Sequence, residues 1–145
     1  MFKSILFVCV GNICRSPTAE VVMRHHLARD GVQMGSAGLQ ALAGKPIDPM
    51  AQQILQEHQL DGSMHRGRQL TAALLRETDL VLVMERRHVA SITNEFPQAS
   101  GKTFLLGKWC GDREIPDPYR QQRPAFEHVY ALIDECTQAW TRYIR

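Results

Sequence analysis

The chain has 145 residues, 44% of hydrophobic type and 22% charged, a composition that excludes a disordered tail and fits one domain around one core. Seventeen Lys+Arg against fifteen Asp+Glu leave a net charge of +2, too balanced to make nucleic acid or an anionic membrane the expected partner. The longest apolar run, residues 5–10, is far short of a membrane span, and Met1-Phe2-Lys3-Ser4 lacks the features of an export signal, so a cytoplasmic protein without membrane insertion is expected.

Residues 3–10 form a continuous apolar run, the pattern of a strand buried on both faces. Ser16-Pro17 then reads as N-cap and first helical position of a helix to about residue 30, with Gly31 beyond its end. A second strand is expected at 32–38. Asp48-Pro49 opens a helix carrying Ile54, Leu55 and Leu60, and a loop over 61–68 leads to a short helix at 71–76. Residues 79–84 are a third strand, followed by a helix over 85–94. Residues 102–106 are the fourth strand, and 107–118 a loop with the Pro116-Asp117-Pro118 kink. The last helix, 124–143, places Phe126, Val129, Tyr130, Ile133, Cys136, Trp140 and Tyr143 three or four apart, so one face is core.

Four alternations of strand and helix argue an α/β fold: one parallel sheet with helices on both faces. No linker or fixed-period repeat divides the sequence, so residues 1–145 are expected to form a single domain. Cys9, Cys14, Cys110 and Cys136 have neither Cys-x-x-Cys nor zinc-site spacing, so reduced thiols, no metal and no cofactor are expected.

In such sheets ligands bind beyond the carboxyl ends of the strands. There the first strand delivers Cys9-Val10-Gly11-Asn12-Ile13-Cys14-Arg15-Ser16. Gly11-Asn12 permits a tight turn, and a helix start follows, so successive N–H groups can form an anion cradle. The nucleotide-binding pattern Gly-x-x-x-x-Gly-Lys-Ser/Thr is absent. At the base of such a cradle, a thiolate favoured by a helix N-terminus and a neighbouring arginine is a nucleophile aimed at the anion's central atom. Arg15 can hold two phosphate oxygens, and Ser16 can hydrogen-bond the thiolate. Loss of a phenolate from a tyrosine ester calls for an acid on a loop that reaches the cradle. Asp117, stiffened by two prolines and followed by Tyr119, is the candidate.

These segments, with Ser36-Ala37-Gly38, His65-x-x-Arg68-Gln69-Leu70 and Asp117-Pro118-Tyr119, resemble the low-molecular-weight protein-tyrosine phosphatases over the whole chain. The wall segment 35–42 and Ile115-Pro116-Asp117-Pro118-Tyr119-Arg120 are similar to the bacterial branch found in capsule and exopolysaccharide clusters. The resemblance implies a four-stranded parallel sheet and no metal. Cys9 becomes the nucleophile of a phosphocysteine intermediate, Arg15 the phosphate clamp, and Asp117 the acid and then the base. Residues 10–16 bind phosphate. Asn12, held by Ser36 and His65, fixes the loop, and Ser16 supports the thiolate. Val10, Ile13, Leu39 and Tyr119 wall the phenyl slot. The implied substrate is a phosphotyrosine protein, a membrane tyrosine autokinase of polysaccharide export. Tyr119 is followed by Arg120 where animal members carry a second aromatic, and Leu39 stands where some members have one, so a more aliphatic slot is expected.

Two alternatives use a similar loop. An arsenate reductase needs relay cysteines on the helix after the third strand, and residues 85–94 contain none. A phosphocysteine carrier of sugar transport must shield its intermediate from water, which Asp117 opposes. For Cys14, five positions from Cys9, two readings stand: a packed side chain, or the partner in a reversible protective disulfide. His25, His26, His58, His88 and His128 read as surface or packing residues, Glu85-Arg86-Arg87-His88 as a solvated helix start, and Arg66, Arg68, Arg120 and Arg123 as solvated charges.

Overall fold

A computed structural model of the chain describes residues 2–27 and 31–144. Four strands, β1 (Ser4–Cys9), β2 (Gln33–Gly38), β3 (Leu80–Val83) and β4 (Thr103–Leu105), form one parallel sheet in the order β2-β1-β3-β4. Five α-helices accompany them: α1 (Arg15–His26), α2 (Pro49–Glu57), α3 (Ala72–Arg76), α4 (Arg86–Glu95) and α5 (Arg123–Ile144). The expected elements are all present, with ends shifted by a few residues. Lys102 closes a 3₁₀ turn instead of opening β4, and the expected end of the first helix near Asp30 lies outside the described residues.

Alternation along each strand sorts the apolar residues into two cores. Ile5, Phe7, Leu80 and Leu82 face α1, α2 and α5, and pack with Val22, Leu55 and Ile133. Leu6, Val8, Val81 and Val83 face the opposite way onto Leu75 of α3 and Ile92 of α4. Phe7 and Leu82 have no exposed surface, and burial of each such side chain contributes about 2 kcal/mol.

Local chemistry fixes the helix starts. Asp48 caps α2 by accepting from the N–H groups of Met50 (2.8 Å) and Ala51 (3.3 Å), with Pro49 in the first turn. Thr71 caps α3 through Leu74 N–H, and Glu85 with His88 forms a capping box on α4. The start of α1 differs from expectation. The helix begins at Arg15, and the Ser16 hydroxyl makes no cap because it is engaged with the site below.

β1 leads into α1 on the Phe7 face, whereas β3 leads into α4 on the Val81 face. The two loops therefore part at the carboxyl edge of neighbouring strands and leave a crevice there.

Candidate active site

The loop leaving β1 is gripped from outside, carbonyl by carbonyl. Cys9 O accepts from Leu39 N–H (2.9 Å), Val10 O from Gln40 N–H (2.9 Å), Gly11 O from Leu42 N–H (3.0 Å) and Ile13 O from Asp48 N–H (2.7 Å). Asn12 O accepts from His65 Nε2 (2.5 Å), which fixes the tautomer with the proton on Nε2. In a planar trans peptide the N–H points opposite to the C=O. Five outward carbonyls thus turn the N–H groups of Val10, Gly11, Asn12, Ile13 and Cys14 toward the other side, where these residues line a cavity of about 190 Å³. The positive end of α1 opens onto the same space. This is an anion cradle built from backbone.

Asn12 sits in the left-handed region, φ 58°, a conformation asparagine tolerates at lower cost than most residues. Its side chain is fully used: Nδ2 donates to Ser16 Oγ (2.8 Å) and Ser36 Oγ (3.0 Å), and Oδ1 accepts from Arg68 N–H (2.9 Å). Ser16 Oγ is 2.9 Å from Cys9 Sγ. Since that oxygen already accepts from Asn12, its proton is free to donate to sulfur. Close approach demands glycine at position 38, where a Cβ would meet Val10 O at 2.6 Å.

Arg15 is 1% exposed and held at one nitrogen. Its Nη1 donates to Glu85 Oε2 (2.6 Å) and to Ile115 O (2.8 Å), while Nη2 lies 3.6 Å from Asp117 Oδ2. Burial pushes the Glu85 carboxyl up, but hydrogen bonds from Arg87 and Arg15 and the Arg15 charge outweigh it and hold it down at about 2. Glu85 is therefore an anion throughout the working range, and the guanidinium is oriented before any ligand arrives. Asp117 hangs over the cavity half exposed, its Oδ1 accepting from Tyr119 N–H (3.0 Å) and its main-chain carbonyl from Gln121 Nε2 (2.9 Å). That Asx turn sets the loop beside Tyr119, whose ring carries the Arg120 guanidinium 5.2 Å from its centroid.

Cys9, Val10, Ile13, Cys14, Arg15, Asp117 and Tyr119 all line this one cavity. Ser36 and His65 stand behind the loop as its supports. Leu39, expected on the wall, is a correction. It packs against the second core, and Gln40 and Leu42 line the cavity in its stead. Ala37 of β2 and Leu39, just beyond the end of that strand, both pack into the core on the α4 side. Arg68, read as solvated charge, also differs, since its Nε donates to Ser36 O (2.9 Å) while its backbone holds Asn12. Glu85 and His88, read as a solvated helix start, are drawn inward beside Arg15. Their sequence signal was position: an acidic residue directly after the buried strand β3, at the carboxyl edge beside β1. Burial pushes the Cys14 thiol up, reinforced by the nearby Asp48 and Cys9, and both Cys9 and Cys14 are free thiols.

The sequence profile of the family described as "Low molecular weight phosphotyrosine protein phosphatase" matches residues 4–145. The chain is 46% identical over 142 residues to the Salmonella typhimurium low molecular weight protein-tyrosine-phosphatase Wzb, covering 98% of this chain and 94% of that one. The structure of Vibrio vulnificus Wzb in complex with benzylphosphonate superposes with a TM-score of 0.95 at 48% identity, covering 99% of each chain. The YwlE arginine phosphatase of Geobacillus stearothermophilus superposes with a TM-score of 0.92 at 30% identity, covering 97% of this chain and 92% of that one. A cysteine in a backbone anion cradle, carried on this fold and matched along its whole length, makes the chain a member of the low molecular weight phosphotyrosine protein phosphatase family.

Proposed function

We propose that the protein hydrolyses phosphotyrosine in two steps through a phosphocysteine at Cys9. The supporting observation is the cradle itself, five consecutive peptide N–H groups and a pre-oriented Arg15 around one thiol. In the first step Cys9 Sγ attacks phosphorus, the P–O(aryl) bond breaks, and Asp117 delivers a proton to the departing phenolate oxygen. In the second, the Asp117 carboxylate takes a proton from water, the water oxygen attacks phosphorus, and the S–P bond breaks. The thiolate leaves toward the Ser16 hydroxyl, 2.9 Å from it. Arg15 Nη2 is left to follow the equatorial oxygens as the phosphoryl group flattens.

Tyr119, Leu42, Ile13 and Val10 give the cavity an apolar wall suited to a phenyl ring. Asp117 is the one acidic residue lining it among the described residues, which favours phosphotyrosine over a cationic phosphoguanidine. The likeness to the polysaccharide-cluster branch supports a membrane tyrosine autokinase as the physiological substrate and a cytoplasmic location. No helix among the described residues is long and apolar enough to cross a membrane.

Initial rates on phosphotyrosyl, phosphoseryl and phosphoarginyl peptides, with chelator present, test this reading. Wild type is expected to prefer phosphotyrosine by about 100-fold or more, Cys9→Ser to release no phosphate, and Asp117→Asn to lose roughly 10²–10³ in kcat. Turnover in Cys9→Ser, or a preference for phosphoarginine, overturns it.

A further inference from the structure

His88 is a buried titratable group that the two-step mechanism does not use. It is the third residue of α4, its side chain 1% exposed. Nδ1 accepts from the backbone N–H of Glu85 at 3.3 Å, so that nitrogen carries no proton and the neutral ring has its proton on Nε2. Nε2 is buried and makes no hydrogen bond, an arrangement that costs free energy and calls for a reason. It lies 3.6 Å from Glu85 Oε2, the same oxygen that takes Arg15 Nη1 at 2.6 Å. The charged groups around the imidazole are Arg15 of α1, Glu85 and Arg87 at the start of α4, and Glu114 of the loop that carries Asp117. Burial, then the Arg15 charge, push the imidazole down to about 4, which keeps it a neutral donor at any working pH.

Glu85 Oε2 therefore faces three donors: Arg15 Nη1, engaged; the exposed Arg87 Nη2, at 3.5 Å; and His88 Nε2 on the buried side, just out of reach. A bound dianion attracts Arg15 and competes with Glu85 for it. Any movement of the guanidinium toward phosphate leaves Oε2 with only the long contact to the exposed Arg87, and the idle Nε2–H, on the buried side, is the group positioned to replace the lost bond.

We propose that His88 is a positioning residue for phosphate capture: it holds Glu85 in the orientation that aims Arg15, and its Nε2–H takes up Glu85 Oε2 when the anion draws the arginine forward. The proposal rests on Arg15 being the phosphate clamp. It makes the loss of the Arg15 contact a replacement and not a vacancy, so that the clamp can close while the half-buried carboxylate keeps a close donor on its inner side.

The test is kinetic, with His88→Leu, His88→Gln, Glu85→Gln and the double variant His88→Leu/Glu85→Gln, each checked by thermal melting. His88→Leu is expected to lower kcat on an aryl phosphate and to weaken orthovanadate inhibition by roughly tenfold each, with a smaller change in KM. His88→Gln, whose amide can accept at one atom and donate at the other, is expected to recover most of that loss. In the Glu85→Gln background the His88→Leu change should cost less than about twofold more, because the effect runs through Glu85. In wild type, adding phosphate should move the imidazole Nε2–H proton resonance downfield. A folded His88→Leu with wild-type kcat and vanadate affinity, full additivity in the double variant, or an unmoved Nε2–H resonance in phosphate-saturated wild type each overturns the proposal. Failure of the hydrolytic reading is distinct from these, since wild type itself would then be inactive.

Discussion

At Asn12 the backbone and the side chain serve the same loop. The left-handed φ of 58° lets the chain reverse so that the carbonyls on both sides of the turn face out, and the amide ties together Ser16, Ser36 and Arg68. Ser16 in turn touches the thiol, so a residue whose side chain lies behind the loop sets the position of Cys9 Sγ. Asn12→Ala removes two buried hydrogen bonds and a half-buried one, and places a Cβ residue without a polar side chain in the left-handed region. We expect a destabilisation of about 2–4 kcal/mol by denaturant titration, and a fall in kcat of about 10²-fold measured where the variant is still folded. A variant that melts early but turns over at the wild-type rate would show the amide to be structural only.

At the scale of elements, the start of α4 joins folding to the site. Its capping box uses Glu85 and His88, the same two side chains that stand behind Arg15. Both groups have folded pKa values below their unfolded ones, His88 about 4 against 6.5 and Glu85 about 2 against 4.5. For each, the stability contributed is complete above the unfolded value and is lost as pH falls through the folded one. The melting temperature is therefore expected to decline from pH 6.5 toward 4 through His88 and from 4.5 toward 2 through Glu85. A His88→Gln variant should flatten the upper segment and Glu85→Gln the lower. Melting curves of His88→Gln and wild type that run parallel between pH 6.5 and 4 would contradict this.

Across the whole molecule, what was legible in the sequence divides by range. The buried runs 5–10 and 79–84, the apolar stripe of the last helix and the Asp48-Pro49 start are local patterns, and each became the expected element. The cradle was legible because its chemistry lies in one contiguous segment, from Cys9 to Ser16. Asp117 was a candidate from its own loop, but an Asp between two prolines reads equally as an ordinary turn, and the resemblance was needed to single it out. Glu85, His88 and the Ile115 carbonyl were missed, since what makes them matter is the adjacency of β1 and β3 and the return of the 107–122 segment over the cradle. Leu39 was misplaced because side-chain directions beyond Gly38 depend on how the chain leaves β2, and Leu42 was overlooked for the same reason. All of these parts converge on one atom, Cys9 Sγ, and the most direct measurement is to catch the phosphoryl group there. With nitrophenyl phosphate, whose leaving group needs no acid, Asp117→Asn should slow the second step more than the first. Rapid-quench mass spectrometry of that variant is predicted to find one added phosphoryl group on the peptide containing Cys9, formed within the first turnover and absent from Cys9→Ser/Asp117→Asn. Continued turnover with no phosphorylated Cys9, or a phosphoryl group on any other residue, would contradict the account.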